Sequence, residues 1–493
     1  MKSKYIKQRQ SSTGLISANK IVSAIGLFVL VVGVGVFVVY NPAFYRSNIF
    51  VILTFFINIG LFVTQLLLSS TEHSFGFKIM FWIFNLFFFG LAPFYQYVSG
   101  SAIWGYKATD REYVISNVFI LMWSVLYIIA NNFKLSKTKQ RLKLLVQRQK
   151  SEYDYKIRRN ALNIMLGLSL LAVVYYIVFV GFENMFVRNT SVNKALYEST
   201  PLKLLEEHVL KNIALYTFVL HLLEAKQKKM MSFQFIISVA CLLICCFPTA
   251  LSRYAMASIY AGIMIILVDK TRRGRWFITI FILALVVVFP ALDIFRRMDY
   301  LEQITDFGAA IKREIETVYT TGDYDSYSMF INVRRYVGFF DFSYGKQLLG
   351  ALLFFFPRSI WSSKPIGTGH TVFTALHPEF TNVSAPLVAE GYIDFGILGV
   401  AIYAIVAGAI TSWADRKYWA SDNPLSKERI VYPFLMLQFF FLLRGDLMSG
   451  GAYLIARLVM GLAIYYFVVK KVPVGDTDTE PVKPRISKYI KQK

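Results

Sequence analysis

"NALNIMLGLSLLAVVYYIVFVG", residues 160–181, runs for twenty-two positions without a charged side chain. A helix rises about 1.5 Å per residue, so this run is long enough to cross a hydrocarbon core of about 30 Å. The stretch before it, 133–159, carries Lys134, Lys137, Lys139, Arg141, Lys143, Arg148, Lys150, Lys156, Arg158 and Arg159. A basic approach to an apolar run is the pattern of a spanning helix that starts on the cytoplasmic side. Working outward, comparable runs recur at 21–40, 49–70, 79–98, 113–132, 205–223, 233–250, 254–269, 277–295, 394–413, 430–447 and 452–469. The chain thus reads as an all-α polytopic membrane protein of twelve spans. The sixth span is the most polar at its outer end, where Glu206, Glu207, His208 and Lys211 crowd together.

Charge distribution tests this layout. The chain has 493 residues, 56% hydrophobic, and a net charge of +23. Clustered on one surface, that charge would suggest nucleic acid. Here the basic residues fall in short stretches between apolar runs, where anionic lipid headgroups answer them. No nucleic-acid partner is expected. Lys2, Lys4, Lys7, Arg9 and Lys20 precede the first run, which is too long for a cleaved leader and has no small-residue cleavage site after it. With the N-terminus inside, every strongly basic loop falls on one side. The layout is a basic N-terminus at 1–20, spans one to nine within 21–295, a long outer loop at 296–393, three more spans within 394–469, and a basic tail at 470–493, both termini cytoplasmic.

The outer loop is close to neutral, with nine basic and ten acidic residues. A crude polyanion-binding patch is therefore excluded. Within it, "QLLGALLFFFP" (347–357) is apolar but too short to span, and reads as a re-entrant or interfacial element. Arginines recur near this face: Arg296 and Arg297 end the ninth span, Arg334 and Arg335 sit in "FINVRRYVGFF", and Arg358 precedes Lys364 in "PRSIWSSKP". Arg253 and Arg444 fall at the same level. The planar guanidinium donates two parallel hydrogen bonds to a phosphoryl group, which suits recognition of a lipid-borne phosphate. Each arginine taken singly has an alternative as a headgroup contact or a structural ion pair, and for Arg444 the adjacent Asp446 is the rival partner. His370 and Glu390 are the candidate proton-transfer groups. A lone loop histidine is more often surface hydrogen-bonding, and Glu390 can equally hold an arginine. Gly367 and Gly369 permit a tight turn, but no Gly-Lys-Ser/Thr follows as a nucleotide loop requires. His73, His208 and His221 are scattered without ligand spacing, and Cys241, Cys245 and Cys246 share one apolar run, so neither a metal nor a disulfide is called for.

The many spans, the long loop before the last three, and the passage "PRSIWSSKPIGTGHTVF…NVSAPLVAEGYIDFGILGV" together resemble the Wzy-type oligosaccharide repeat-unit polymerases of O-antigen and capsule synthesis. The elements that carry the likeness are Pro357-Arg358, Trp361 with Lys364-Pro365, Glu390-Gly391-Tyr392, and Phe395-Gly396, with "ALSRYAM" around Arg253. The layout covers most of the chain, the motifs about fifty residues of it. The resemblance implies a fold similar to the O-antigen ligases and a place among the polyprenyl-phosphate-dependent glycosyltransferases of the bacterial cytoplasmic membrane. It implies transfer of a growing glycan from undecaprenyl pyrophosphate to another lipid-linked repeat unit at the outer face, without metal, cofactor or nucleotide sugar. It leaves room for a chain-length regulator as a partner. A ligase shares the same chemistry. A lipid-linked oligosaccharide flippase, or transporter, would show two comparable halves, and no internal repeat is seen.

Overall fold

In the computed structural model of the chain, the residues described are 48–105, 107–133, 153–181, 185–186, 204–268, 276–285, 318–320, 322–376 and 383–473. The expected first span, 21–40, and the segment 1–20 lie outside them. The first described helix, α1 (Ile49–Glu72), begins where the Asn48 side chain accepts from the Phe50 amide at 3.0 Å. Next comes α2 (Phe77–Ser99), whose first amides are capped from far along the chain: Asp415 accepts from Phe77 N at 2.9 Å and Lys78 N at 3.2 Å. It widens into a π-helical stretch at Asn85–Leu91. Apolar residues ring this helix on all sides, and Phe81, Trp82, Phe84 and Phe88 are all buried. A helix apolar all round belongs at the centre of a bundle.

The helix α3 (Asp110–Asn132) starts three residues before the apolar run at 113 suggests, because Thr109 and Glu112 form a capping box that supports a polar first turn. After strand β1 (Tyr153–Ile157) come α4 (Arg159–Val180), α5 (a π-helical turn at Glu206–Leu210 continued by Lys211–Lys228), α6 (Phe233–Cys245), α7 (Arg253–Leu267) and α8 (Trp276–Leu283). The region of the long loop holds α9 (Ser326–Phe340), α10 (Lys346–Leu352) and α11 (Thr368–Leu376). Three long helices follow, α12 (Leu387–Ala420), α13 (Lys427–Arg444) and α14 (Leu447–Val468), and then strand β2 (Val469–Pro473), antiparallel to β1.

Of the twelve expected spans, seven appear as helices both long and apolar enough to cross a membrane: 49–72, 77–99, 110–132, 159–180, 233–250, 387–420 and 447–468. Three more are helices that fall short on one count. α7 has only 15 residues, and α5 and α13 carry charged ends. The ninth, 277–295, is described only through 285. On α4 the side chains of Ile164, Leu168, Leu171 and Val178 are exposed, an apolar exterior suited to hydrocarbon surroundings. The chain is a mostly helical, polytopic membrane protein.

The helix ends gather on two opposite faces. On one, His73 stacks on Trp419 at 4.5 Å, Lys427 reaches the Tyr466 hydroxyl at 3.1 Å, Arg158 donates to the Tyr466 carbonyl, and Lys226 donates to the carbonyls of Ile266 and Leu267. Arg158, Lys226 and Lys427 thus lie together at this face. On the other, Asn48 bonds Asp110, Gln96 donates to the carbonyls of Tyr319 and Tyr324, and Arg253 and Arg444 meet the segment 322–325. This second face carries the candidate site.

Candidate functional site

Three polar clusters occupy the second face. The first joins helix ends to the segment 322–325. Arg253, first residue of α7, places Nη2 at 2.8 Å and 2.7 Å from the two carboxylate oxygens of Asp323. Arg444, last residue of α13, donates from Nε to the Asp323 carbonyl and from Nη2 to the Gly322 carbonyl, each at 2.8 Å. Its Nη2 also stands 3.4 Å from Asp325, and its guanidinium lies over the Tyr254 ring. Asp325 further accepts from Trp104 Nε1 at 3.2 Å and from Ser384 Oγ at 2.9 Å. Burial pushes the Asp325 carboxyl above its usual range in spite of these donors. Arg253 and Arg444 therefore meet at one segment, and what they bind there are carboxylates and carbonyls of this chain.

The second cluster centres on Glu390. The apolar pattern suggests a span beginning at 394, yet α12 starts at Leu387, so Glu390 lies in its first turn, 1% exposed. Its Oε2 accepts from Thr368 Oγ1 at 2.6 Å and its Oε1 from the Leu447 amide at 2.8 Å. One carboxylate thereby ties the start of α11 to the start of α14. Beside it, Asp446 accepts from Met448 N at 2.9 Å and Gly369 N at 3.3 Å. Burial raises the Asp446 carboxyl above its usual range. Asp446 thus caps α14 and does not take the place of partner to Arg444. Gly367 passes so close to the Asp446 carboxylate that any Cβ would collide with it.

The third cluster is the loop after α10. Arg358 donates to the carbonyls of Lys364 at 2.6 Å and Pro365 at 3.0 Å. Lys364 Nζ donates back to the carbonyls of Phe354 at 2.6 Å and Phe356 at 3.0 Å. Burial, with Arg358 adding to it, lowers the Lys364 pKa from the ordinary lysine value. Both cations fold the loop with neutral carbonyls, and their charges are not paired with a carboxylate among the described residues. The loop is seated on α14: a Cβ on Gly350 would stand 2.5 Å from Pro365 and 2.7 Å from Met448. The expected interfacial element 347–357 appears as α10 followed by turns, with Leu349, Leu352 and Phe355 exposed.

The remaining candidates are placed elsewhere. Arg335 is held bidentate by Glu112, Nε at 2.6 Å and Nη2 at 2.9 Å, and Arg334 donates to Ser116 Oγ at 2.8 Å and the Glu112 carbonyl at 3.3 Å. These two arginines fasten α9 to α3. His370 contacts Thr374 Oγ1 at 3.3 Å. Arg296 and Arg297 lie outside the described residues. Sequence reasoning gave no site role to Thr368, Asp323 or Asp325, and read Asp446 only as a partner for Arg444. Asp446 had a local signal, a cap residue before an apolar run in "RGDLM"; the others have none, since their partners lie far along the chain.

The arrangement offers a buried carboxylate, the Thr368 hydroxyl that donates to it, and two cations that meet no carboxylate among the described residues, on a loop packed against the same helix start. Such a set can take a proton from a hydroxyl and stabilise an anionic leaving group. Among the described residues no group of three or more His, Cys, Asp or Glu side chains is disposed to hold a metal ion. Comparison with protein-family models, curated proteins and solved structures finds no match.

Proposed function

We propose that the chain polymerises undecaprenyl-pyrophosphate-linked oligosaccharide repeat units at the extracytoplasmic face of a bacterial cytoplasmic membrane. The single observation that favours this reading is that Glu390 and the Arg358–Lys364 loop are both seated against the start of α14. In the transfer, an acceptor hydroxyl attacks the anomeric carbon of the donor glycan. The bond from that carbon to the diphosphate oxygen breaks, and the lipid diphosphate leaves with the electron pair. Glu390 takes the acceptor proton once the Thr368 hydroxyl turns aside. Arg358 and Lys364 meet the charge that grows on the departing diphosphate, exchanging carbonyl oxygens for phosphoryl oxygens, which bind a cation more strongly. His370, two residues beyond Thr368, is the second group of this turn able to carry a proton. Arg253 and Arg444 brace the site by fixing 322–325 against the ends of α7 and α13.

The test uses purified protein and a synthetic lipid-linked repeat unit, with products resolved as a ladder. Glu390→Gln keeps the size and accepts the Leu447 amide bond. It is expected to lower turnover by about 10²-fold or more, the range for loss of a general base, with donor binding little changed. Ladder formation at the wild-type rate would sink the assignment of Glu390, and absence of any ladder from the wild-type protein would sink the reaction.

A further inference from the structure

Apart from the junction at Glu390, the last span carries a buried cation that glycosyl transfer leaves unused. Arg457 lies ten residues beyond Leu447 in α14 and is 6% exposed. Its Nη1 donates to Ser258 Oγ of α7, while its Nε has no hydrogen-bond partner among the described residues. The ionisable groups acting on it are Tyr216 and Cys246, with no carboxylate among them. Nearby Lys211 is different: Glu206 stands 3.0 Å from it and Glu207 also acts on it, so its charge is balanced. Arg457 remains as a guanidinium inside a spanning helix without a counter-charge among the described residues. An ionisable group in that position is costly to keep and marks a site of function by default.

The surroundings are built around it. Gly461 follows one turn later, and a Cβ there would stand 2.7 Å from the Tyr216 ring, so the glycine lets the Tyr216 hydroxyl reach the Arg457 carbonyl at 3.1 Å. This presses α5 and α14 together. At the start of α5, the His208 ring lies 4.7 Å from that of Tyr453 and 6.3 Å from that of Phe354, on the loop of Arg358 and Lys364. His208 Nδ1 has no hydrogen-bond partner among the described residues, and Lys211 and Arg457 are the charges that act on it. Ser258 is five residues into α7, roughly 8 Å at 1.5 Å per residue from the Arg253 end, which lies on the second face.

We propose that Arg457, Ser258 and His208 form an intramembrane site, between α5, α7 and α14, for the phosphate of an anionic amphiphile. The unpartnered Arg457 Nε, with the Ser258 hydroxyl beside it and the His208 imidazole within electrostatic reach, offers donors of the kind that a phosphoryl group with several acceptor oxygens takes. Anionic lipids of a bilayer carry that group. The site goes beyond the polymerase reading and does not depend on glycosyl transfer.

Binding is to be measured by native mass spectrometry on the full chain released from nanodiscs. Undecaprenyl phosphate, phosphatidylglycerol and inorganic pyrophosphate are offered in turn to wild type, Arg457→Met and Ser258→Ala. Wild type should retain a phosphate-bearing ligand, and Arg457→Met should bind it about tenfold or more weakly, as expected for loss of a charge-assisted pair of hydrogen bonds. Retention of undecaprenyl phosphate alone, of both lipids, or of pyrophosphate as well would each support the site and tell a lipid headgroup from a free anion. Equal retention by wild type and Arg457→Met, with the variant melting higher, would make the arginine a structural remnant and overturn the proposal. If Arg457→Met fails to fold, Arg457→Lys keeps the charge without the fork and should bind several-fold more weakly, with unchanged binding again overturning it. Glu390→Gln should leave this binding intact, so that failure of the polymerase assignment stays separate.

Discussion

Arg335 and Lys364 were candidates for the same work in the sequence, and the structure gives them different neighbours. Arg335 meets Glu112, more than two hundred residues earlier, in a two-bond fork that no local pattern discloses. Arg335→Ala would leave the half-buried Glu112 carboxylate without its cation. The expected loss is about 1–2 kcal/mol, between the values for exposed and buried pairs, read as a fall in melting temperature. Adding Glu112→Ala should restore part of it. A catalytic role for Arg335 would show the opposite, abolished turnover at unchanged melting temperature. Lys364 meets only carbonyls, and burial lowers its pKa, so it loses its proton at a lower pH than an ordinary lysine. If its charge helps hold the lipid diphosphate, donor affinity should decline as the pH rises through the alkaline range. Lys364→Arg, charged throughout, should remove that decline. A profile identical in wild type and variant would discharge Lys364 from the role.

Among the elements, α12 shows where the apolar pattern informs and where it stops. Its membrane-length portion was legible because a run of apolar residues has only one economical conformation in lipid, the helix. The start was misplaced by seven residues because Leu387–Asp394 is a polar-ended half-helix before a break at Phe395 and Gly396, the latter at φ +60°. That break is held by long-range contacts. Asp394 accepts from Ser343 Oγ at 2.5 Å and Tyr403 OH at 2.7 Å, and from the amides of Gln347 and Leu348, which begin α10. Gly399 abuts the Gly391 carbonyl so tightly that a Cβ on Gly399 would overlap it. Gly399→Ala should therefore force the two halves of the helix apart, at a cost of about 1–3 kcal/mol, the usual range for overpacking. Because Glu390 rides on the moving half, turnover should fall with it. Wild-type stability and turnover in Gly399→Ala would show that the break is not fixed by this contact. Similarly, the ends of α2 and α3 were hidden by caps, one supplied by Asp415 and one by Thr109 with Glu112.

For the whole molecule, the two faces carry the decisive consequence. Charge counting in the sequence put the basic loops on one side; of their residues, the described contacts join Arg158 and Lys427 at one face, through Lys427 with Tyr466, Arg158 with the Tyr466 carbonyl, and β1 with β2. The loop of Arg358 and Lys364 and the carboxylate of Glu390 occupy the opposite face. On the proposed reading, the positive-inside rule assigns the basic face to the cytosol and the site to the extracytoplasmic side, where a lipid-linked glycan would be met after its translocation. Single cysteines decide the matter. Ser363, exposed on the loop, and Met230, 67% exposed between α5 and α6, sit on opposite faces. The native Cys241, Cys245 and Cys246 are all buried, which keeps the background low. In intact cells, a membrane-impermeant maleimide should label Ser363→Cys and spare Met230→Cys until the membrane is opened. The reverse pattern would put the Arg358–Lys364 loop in the cytosol, remove the extracytoplasmic diphosphate from its reach, and with it the polymerase reading. The two-faced packing would survive that result, since it rests on contacts within the chain and not on which compartment each face meets.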